Sequence, residues 1–100
     1  MEIVKTHHID ASEPDANGWH DYYYEYDIYA FSEGEVSYVA RRYSDEPEHA
    51  HFLKMRTGRA WRLPQPSDFN TAMFAEATAC LRQEGAKQIQ VLGKQGYFPV

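Results

Sequence analysis

Alternation of side chains is strongest in residues 21–43, where it predicts an aromatic β-hairpin. In residues 22–31 aromatic or aliphatic side chains recur with a period of two, and the alternation resumes in residues 36–40. This period is typical of β-strands. Residues 32–34 lie between the two runs and predict a three-residue turn, because Gly34 adopts a left-handed backbone without steric cost.

This turn would fix the faces of the hairpin, placing Glu25 opposite Arg41 and Ile28 opposite Tyr38. The predicted core face then carries Tyr22, Tyr24, Tyr26, Ile28 and Ala30 with Val36, Tyr38, Ala40 and Arg42. The opposite face carries Glu25, Asp27, Ser37 and Arg41, together with Tyr23, Tyr29, Phe31, Val39 and Tyr43. A two-residue turn at 33–34 would shift the second strand by one residue and exchange its faces.

An acidic segment at residues 44–48 predicts the start of a first helix. Asp45 can cap it, and Glu48 follows three residues later, as in a capping box. The apolar side of this helix would be formed by Phe52, Leu53 and Met55, and Gly58 would end it. A strand over residues 49–55 is the competing interpretation.

The second helix is predicted to open at residues 67–68 and to end at Gly85. Its apolar residues recur at helical spacing and are Phe69, Met73, Ala77, Cys80 and Leu81. Residues 2–9 and 88–92 predict strands, and Trp19 is expected to return the loop before the hairpin to the core. The predicted fold class is therefore α+β: one domain, residues 1–100, with a largely antiparallel sheet of three or four strands and two helices on one face, in the order β-β-β-α-α-β.

Charge is uneven along the chain. The net charge is −5, but residues 1–48 hold 12 acids and 3 bases, whereas residues 49–100 hold 3 acids and 7 bases. The two halves can complement each other within the fold, or the asymmetry can serve head-to-tail association or an anion site in the basic half. Overall acidity, and the carboxylates of Glu25 and Asp27 within the aromatic strand, argue against nucleic-acid binding.

The remaining composition predicts a soluble cytoplasmic protein without a membrane partner. No apolar run approaches the roughly 20 residues of a membrane span, and the first residues lack the pattern of a signal peptide. Cys80 is the single cysteine, so no intrachain disulfide can form.

Motifs for chemistry are weak, and we expect no enzyme activity and no cofactor. The Gly93-Lys94 pair lacks the upstream glycine and the following Ser or Thr of a phosphate-binding loop. His49 and His51 would share one side of a strand, but a zinc site needs three or four converging ligands, so no metal is predicted. Cys80 belongs to the apolar side of the second helix and is expected to be a buried, unreactive thiol.

Two functions remain as hypotheses. The first is a small non-enzymatic interaction module that binds itself or another protein through an exposed hairpin face, formed by Tyr23, Tyr29, Phe31, Val39 and Tyr43. The second is a small-molecule or anion-binding protein. It would bind its ligand through arginines, most of them in the basic stretch at residues 54–62, together with an aromatic side chain. Its candidate residues are Arg41, Arg42, Arg56, Arg59, Arg62 and Trp61.

Overall fold

A seven-stranded mixed sheet with one α-helix against one face forms the protein, in a computed structural model that describes residues 1–100. Its elements are β1 (Glu2–Ala11), β2 (Tyr23–Glu33), β3 (Val36–Tyr43), β4 (His49–Thr57), β5 (Ala60–Arg62), a 3₁₀ helix (Pro66–Asn70), α1 (Ala72–Gln83), β6 (Gln88–Gly93) and β7 (Gly96–Pro99). The strand order is β1-β2-β3-β4-β6-β7, and β5 pairs with the end of β4. The predicted fold class, with three or four strands and two helices, is therefore wrong.

The predicted first helix is the strand β4. Ala50, Phe52 and Met55 face the core from this strand, and Leu53 is an extra residue in a β-bulge opposite β3. The bulge interrupts the period of two, so the apolar residues fall at spacings that imitate a helix. The competing prediction of a strand over residues 49–55 is confirmed.

The hairpin of β2 and β3 has a different register from the predicted one. A two-residue turn, Gly34-Glu35, sets Glu33 opposite Val36, and Gly34 has a φ of 60°, which suits the first turn position. Arg41 consequently pairs with Ile28 rather than with Glu25. Because the pairing shifts by an odd number of residues, β2 exposes the face that was predicted to be buried.

The core lies between the sheet and α1. β2 and β3 contribute Tyr29, Phe31, Tyr38 and Ala40, and α1 contributes Met73, Phe74, Ala77 and Leu81. The Phe52 ring lies 4.8 Å from Phe74 and joins the two layers. The other side of the sheet has no helix on it, and we call it the open face.

The helix α1 confirms the predicted second helix. Thr71 caps it by accepting a hydrogen bond from the Phe74 amide, and Gly85 follows its end with a φ of 112°. The helix starts a few residues later than predicted, because Pro66–Asn70 form the 3₁₀ helix. It connects β4 and β5 to β6, which lies parallel to β4. No helix is both long and apolar enough to span a membrane.

The hairpin formed by β1 and β2 extends beyond the rest of the sheet. β3 pairs with β2 only from Tyr26 onward, so residues 9–25 have no third strand beside them; we call this segment the arm. The molecule measures 50 × 28 × 28 Å, and its radius of gyration is 15.0 Å, against about 13 Å for a compact domain of this length. The arm therefore has a large surface that no other part of the protein covers.

Candidate functional site

Three cationic side chains lie on the open face. Arg41 projects from β3, and Lys54 and Arg56 project from β4. They share this side because they alternate with Ala40 and Met55, which face the core. The bulge at Leu53 brings Lys54 opposite Val39, so that β3 and β4 present their positive charges side by side.

Aromatic rings border these cations. The Arg41 guanidinium carbon lies 4.7 Å from the centre of the Tyr43 ring, and Lys54 Nζ lies 4.6 Å from that of Trp61. The Arg56 guanidinium carbon lies 5.4 Å from the centre of the same Trp61 ring. These distances are within the range of cation–π attraction, so the rings hold the cations in place without neutralising their charge.

None of the three cations pairs with a carboxylate. The ion pairs of the molecule involve Lys5, His7, Arg62 and Lys87 instead. The buried side-chain nitrogens that lack a hydrogen-bond partner are Arg41 Nε, Arg56 Nε and His51 Nδ1, and all lie on the open face. The cations of the open face therefore have no carboxylate partner, which leaves their charge available to an anion, whereas the three buried nitrogens are too covered to contact one.

His51 contributes shape rather than charge to the open face. Its ring lies 4.9 Å from that of Tyr97, in an edge-on arrangement. Burial, followed by the positive charge of Arg41, lowers the pKa of His51 below its ordinary value. The imidazole is therefore predominantly neutral near pH 7.

The acidic residues Glu25 and Asp27 lie on the other side of the sheet. His7 Nδ1 is 2.7 Å from Asp27 and His7 Nε2 is 3.2 Å from Glu25. The hydrogen bond to Asp27 is the main cause that raises the pKa of His7. These carboxylates therefore do not offset the charge of the open face, contrary to the assumption drawn from their position in the aromatic strand.

The other predicted anion-binding residues do not join this site. Arg42 donates hydrogen bonds to the Pro47 carbonyl and the Tyr29 hydroxyl, on the helix side. Arg62 binds Asp68 through two hydrogen bonds of 2.8 and 3.0 Å, and this guanidinium is the main cause that lowers the pKa of Asp68. Arg59 lies in the turn between β4 and β5. Of the predicted set, only Arg41, Arg56 and Trp61 lie on the open face, and only Arg56 and Trp61 are in contact.

The predicted interaction face is divided by the observed register. Tyr29 and Phe31 are in the core, with 1% and 0% of their surface exposed, so the expectation that they face solvent is wrong. Val39 and Tyr43 lie on the open face, half-buried. Tyr23 is half-exposed, and it lies in the arm, on the side opposite the open face.

Neither the histidine pair nor the cysteine forms a reactive centre. His49 and His51 share the open side of β4, but no group of three or more potential ligands that could hold a metal ion is present. Cys80 is half-buried, and burial is the main cause that raises its thiol pKa. A thiol with a raised pKa is a poor nucleophile.

A cleft of about 590 Å³ lies between the segment after β5 and the turn between β6 and β7. Its lining includes Arg62, which is already paired with Asp68, and Lys94. No histidine, cysteine or carboxylate lines it. Three cations without carboxylate partners are on the open face instead.

The sequence is matched by no protein-family model, and no curated protein or solved structure shows significant similarity to the chain.

Two features of the site were missed from the sequence. Lys54 lies on the same face as Arg41 only because β4 is a strand with a bulge; a helix over these residues would not have placed the two side chains on one face of the sheet. Trp19 was expected in the core, yet 73% of its surface is exposed at the end of the arm. A signal for this exposure was present: the turn residues around Asn17 and Gly18 favour a loop tip.

Proposed function

We propose that the protein is a small non-enzymatic interaction module that self-associates through the arm. The observation that carries this proposal is the exposure of large apolar side chains along one projecting hairpin. Ile9, Trp19, Tyr22, Tyr23 and Tyr24 are all about half-exposed or more. Aromatic residues of this kind are enriched at protein interfaces, where they provide a large contact area at a small entropic cost.

Hydrogen bonds within the arm support this proposal by holding its tip in one conformation. The Asp15 carboxylate accepts the backbone amides of Asn17 and Trp19, at 2.8 and 2.9 Å. The Ser12 hydroxyl accepts the amide of Asp21 at 2.7 Å. Because the loop is already ordered, binding costs less conformational entropy than for a flexible segment.

We place this activity in the cytoplasm as part of the same proposal. Cys80 is the single cysteine and cannot be protected in an intrachain disulfide, which suits a reducing compartment.

Replacing Trp19 with alanine is expected to weaken self-association by about 30-fold or more, the effect of a central interface residue worth about 2 kcal/mol. Stability against urea should stay close to that of the wild type, because the Trp19 side chain is exposed while its backbone forms the loop hydrogen bonds. Sedimentation velocity over a concentration series from micromolar to several hundred micromolar measures the effect.

The matched control is Ile3→Ala, which removes a half-exposed apolar side chain from the same hairpin outside the arm. It should associate like the wild type. A wild-type chain that sediments as a monomer throughout the series, or equal weakening by both substitutions, would contradict self-association through the arm.

Anion binding on the open face is a second candidate function. It is supported by the unpaired cations Arg41, Lys54 and Arg56. A specific small anion at 100 times its dissociation constant should stabilise the fold by about 2.7 kcal/mol. Thermal denaturation with a panel of phosphorylated and polycarboxylate metabolites measures this, and Lys54→Glu should abolish it whereas Lys87→Glu should not. A panel without any stabilising compound would speak against this function.

A further inference from the structure

We infer that the arm of one copy docks on the open face of a second copy, head to tail. This inference rests on the proposed function, since it names the surface that receives the arm. The arm holds five acidic residues and no lysine or arginine. The acidic residues are Asp10, Glu13, Asp15, Asp21 and Glu25. The open face holds Arg41, Lys54 and Arg56 without carboxylate partners, so the two surfaces are complementary in charge.

Contacts between like surfaces are disfavoured by the same charges. Two arms packed symmetrically would bring five acidic residues against five, and two open faces would bring their cations together. Like charges in an interface cost free energy, particularly where water is excluded. Charge therefore selects the contact of an arm with an open face over a symmetric contact.

The arm cannot reach Lys54 and Arg56 on the open face of its own chain. It continues the strands of the same sheet, whereas Arg56 lies beside Ser37, which pairs with Ser32 near the other end of β2. Ser32 is separated from Glu25 at the base of the arm by seven residues of strand, or roughly 24 Å at 3.4 Å per residue. Lys54, Arg56 and Trp61 thus lie towards the end of the sheet away from the arm, whereas Arg41, opposite Ile28, lies nearer to the base of the arm. Separate positions of the arm and of Lys54 and Arg56 are the arrangement of a head-to-tail assembly that closes into a ring or extends as a filament.

The surfaces also match in their apolar content. The middle of the open face is formed by Ile28, Ala30 and Val39, which are half-buried, with Trp61 exposed at its border. Trp19 at the arm tip provides a large ring that can cover them. Apolar contact at the centre with ion pairs around it is the usual anatomy of a protein interface.

Charge reversal on each surface separately tests this inference. The arm variant carries Glu13→Lys and Asp21→Lys, both exposed; Asp15 is left intact because it holds the loop. The face variant carries Lys54→Glu and Arg56→Glu, and Lys54→Glu alone serves if loss of the Arg56 bond to Ser37 disturbs folding. Each variant alone should associate at least about tenfold more weakly than the wild type.

An equimolar mixture of the two variants is the decisive measurement. The intact arm of the face variant can bind the intact face of the arm variant. The second contact of that pair joins the new lysines of the altered arm to the new glutamates of the altered face, which are again opposite in charge. We therefore expect the mixture to recover association towards that of the wild type although each variant alone associates weakly, measured by light scattering after gel filtration. Lys87→Glu makes the same charge change away from both surfaces and should leave association unchanged.

The outcomes separate this inference from the proposed function. A monomeric wild type contradicts both. A wild type that associates while the face variant associates equally well, or a mixture that stays monomeric, contradicts the head-to-tail contact alone. The contact is also overturned if a labelled single-stranded oligonucleotide binds the open face and Lys54→Glu abolishes that binding without changing self-association.

Discussion

Phe52→Ala is expected to lower the free energy of unfolding by about 3–5 kcal/mol. Phe52 is fully buried, and its ring lies within 4.8 to 6.3 Å of Phe74, Tyr38 and Phe31. It is the residue of β4 that joins the sheet to α1. Since small domains unfold with a total of roughly 5–15 kcal/mol, this single change should remove a large part of the stability.

Equilibrium urea unfolding followed by circular dichroism measures this effect. Leu53→Ala is the matched control, because Leu53 is the neighbouring bulge residue and only half-buried. We expect Leu53→Ala to lower the free energy of unfolding by much less than Phe52→Ala does. If the two variants lose equal stability, β4 does not face the core as described.

Tyr29→Ser is expected to destabilise the protein by about 3–5 kcal/mol, comparable to other truncations of buried aromatic residues. The Tyr29 side chain is 1% exposed, and its hydroxyl accepts a hydrogen bond from Arg42 Nη1 at 3.2 Å. Its removal leaves a cavity beneath α1 and takes away an anchor of Arg42, which also binds the Pro47 carbonyl.

Tyr26→Ser is the informative comparison for Tyr29→Ser. Tyr26 lies on the open face, between the rings of His8 and Tyr43, and is only half-buried. Tyr26→Ser should lower the free energy of unfolding much less than Tyr29→Ser. Urea unfolding of the two variants under the same conditions shows which one loses more stability. The three-residue turn predicted from the sequence implies the reverse order, with Tyr26 in the core, so a larger loss for Tyr26→Ser would contradict the observed register.

The two halves of the chain have separate parts in the proposed association. Five of the twelve acidic residues of the first half lie in the arm, and two of the three open-face cations come from β4 in the second half. The arm, which has no lysine or arginine, and the open-face cations without carboxylate partners therefore lie in different parts of the molecule. Salt should weaken an assembly of this kind, because exposed charges are screened within about 10 Å at 0.1 M ionic strength.

Part of the candidate site was predictable from the sequence. The basic stretch beside Trp61 and the asymmetric charge both indicated an anion-accepting surface, and Arg41, Arg56 and Trp61 do lie on one face of the sheet. The arm was not predictable as a site, because exposure of its tyrosines depends on how far β3 extends along β2. A sequence pattern indicates that a strand exists, but it does not show where the neighbouring strand ends.

Local sequence determined the aromatic strands of the hairpin, the helix α1 with its stop at Gly85, and the strand β6, because each depends on a short-range period or a turn residue. Tertiary structure alone decided the register of the hairpin and the identity of β4. Gly34 can end a three-residue turn or begin a two-residue turn, and tyrosines on both faces of β2 leave the buried side undetermined. Packing of Tyr29 and Phe31 against Phe52 and α1 resolves that choice, because only one register brings these rings into a single core.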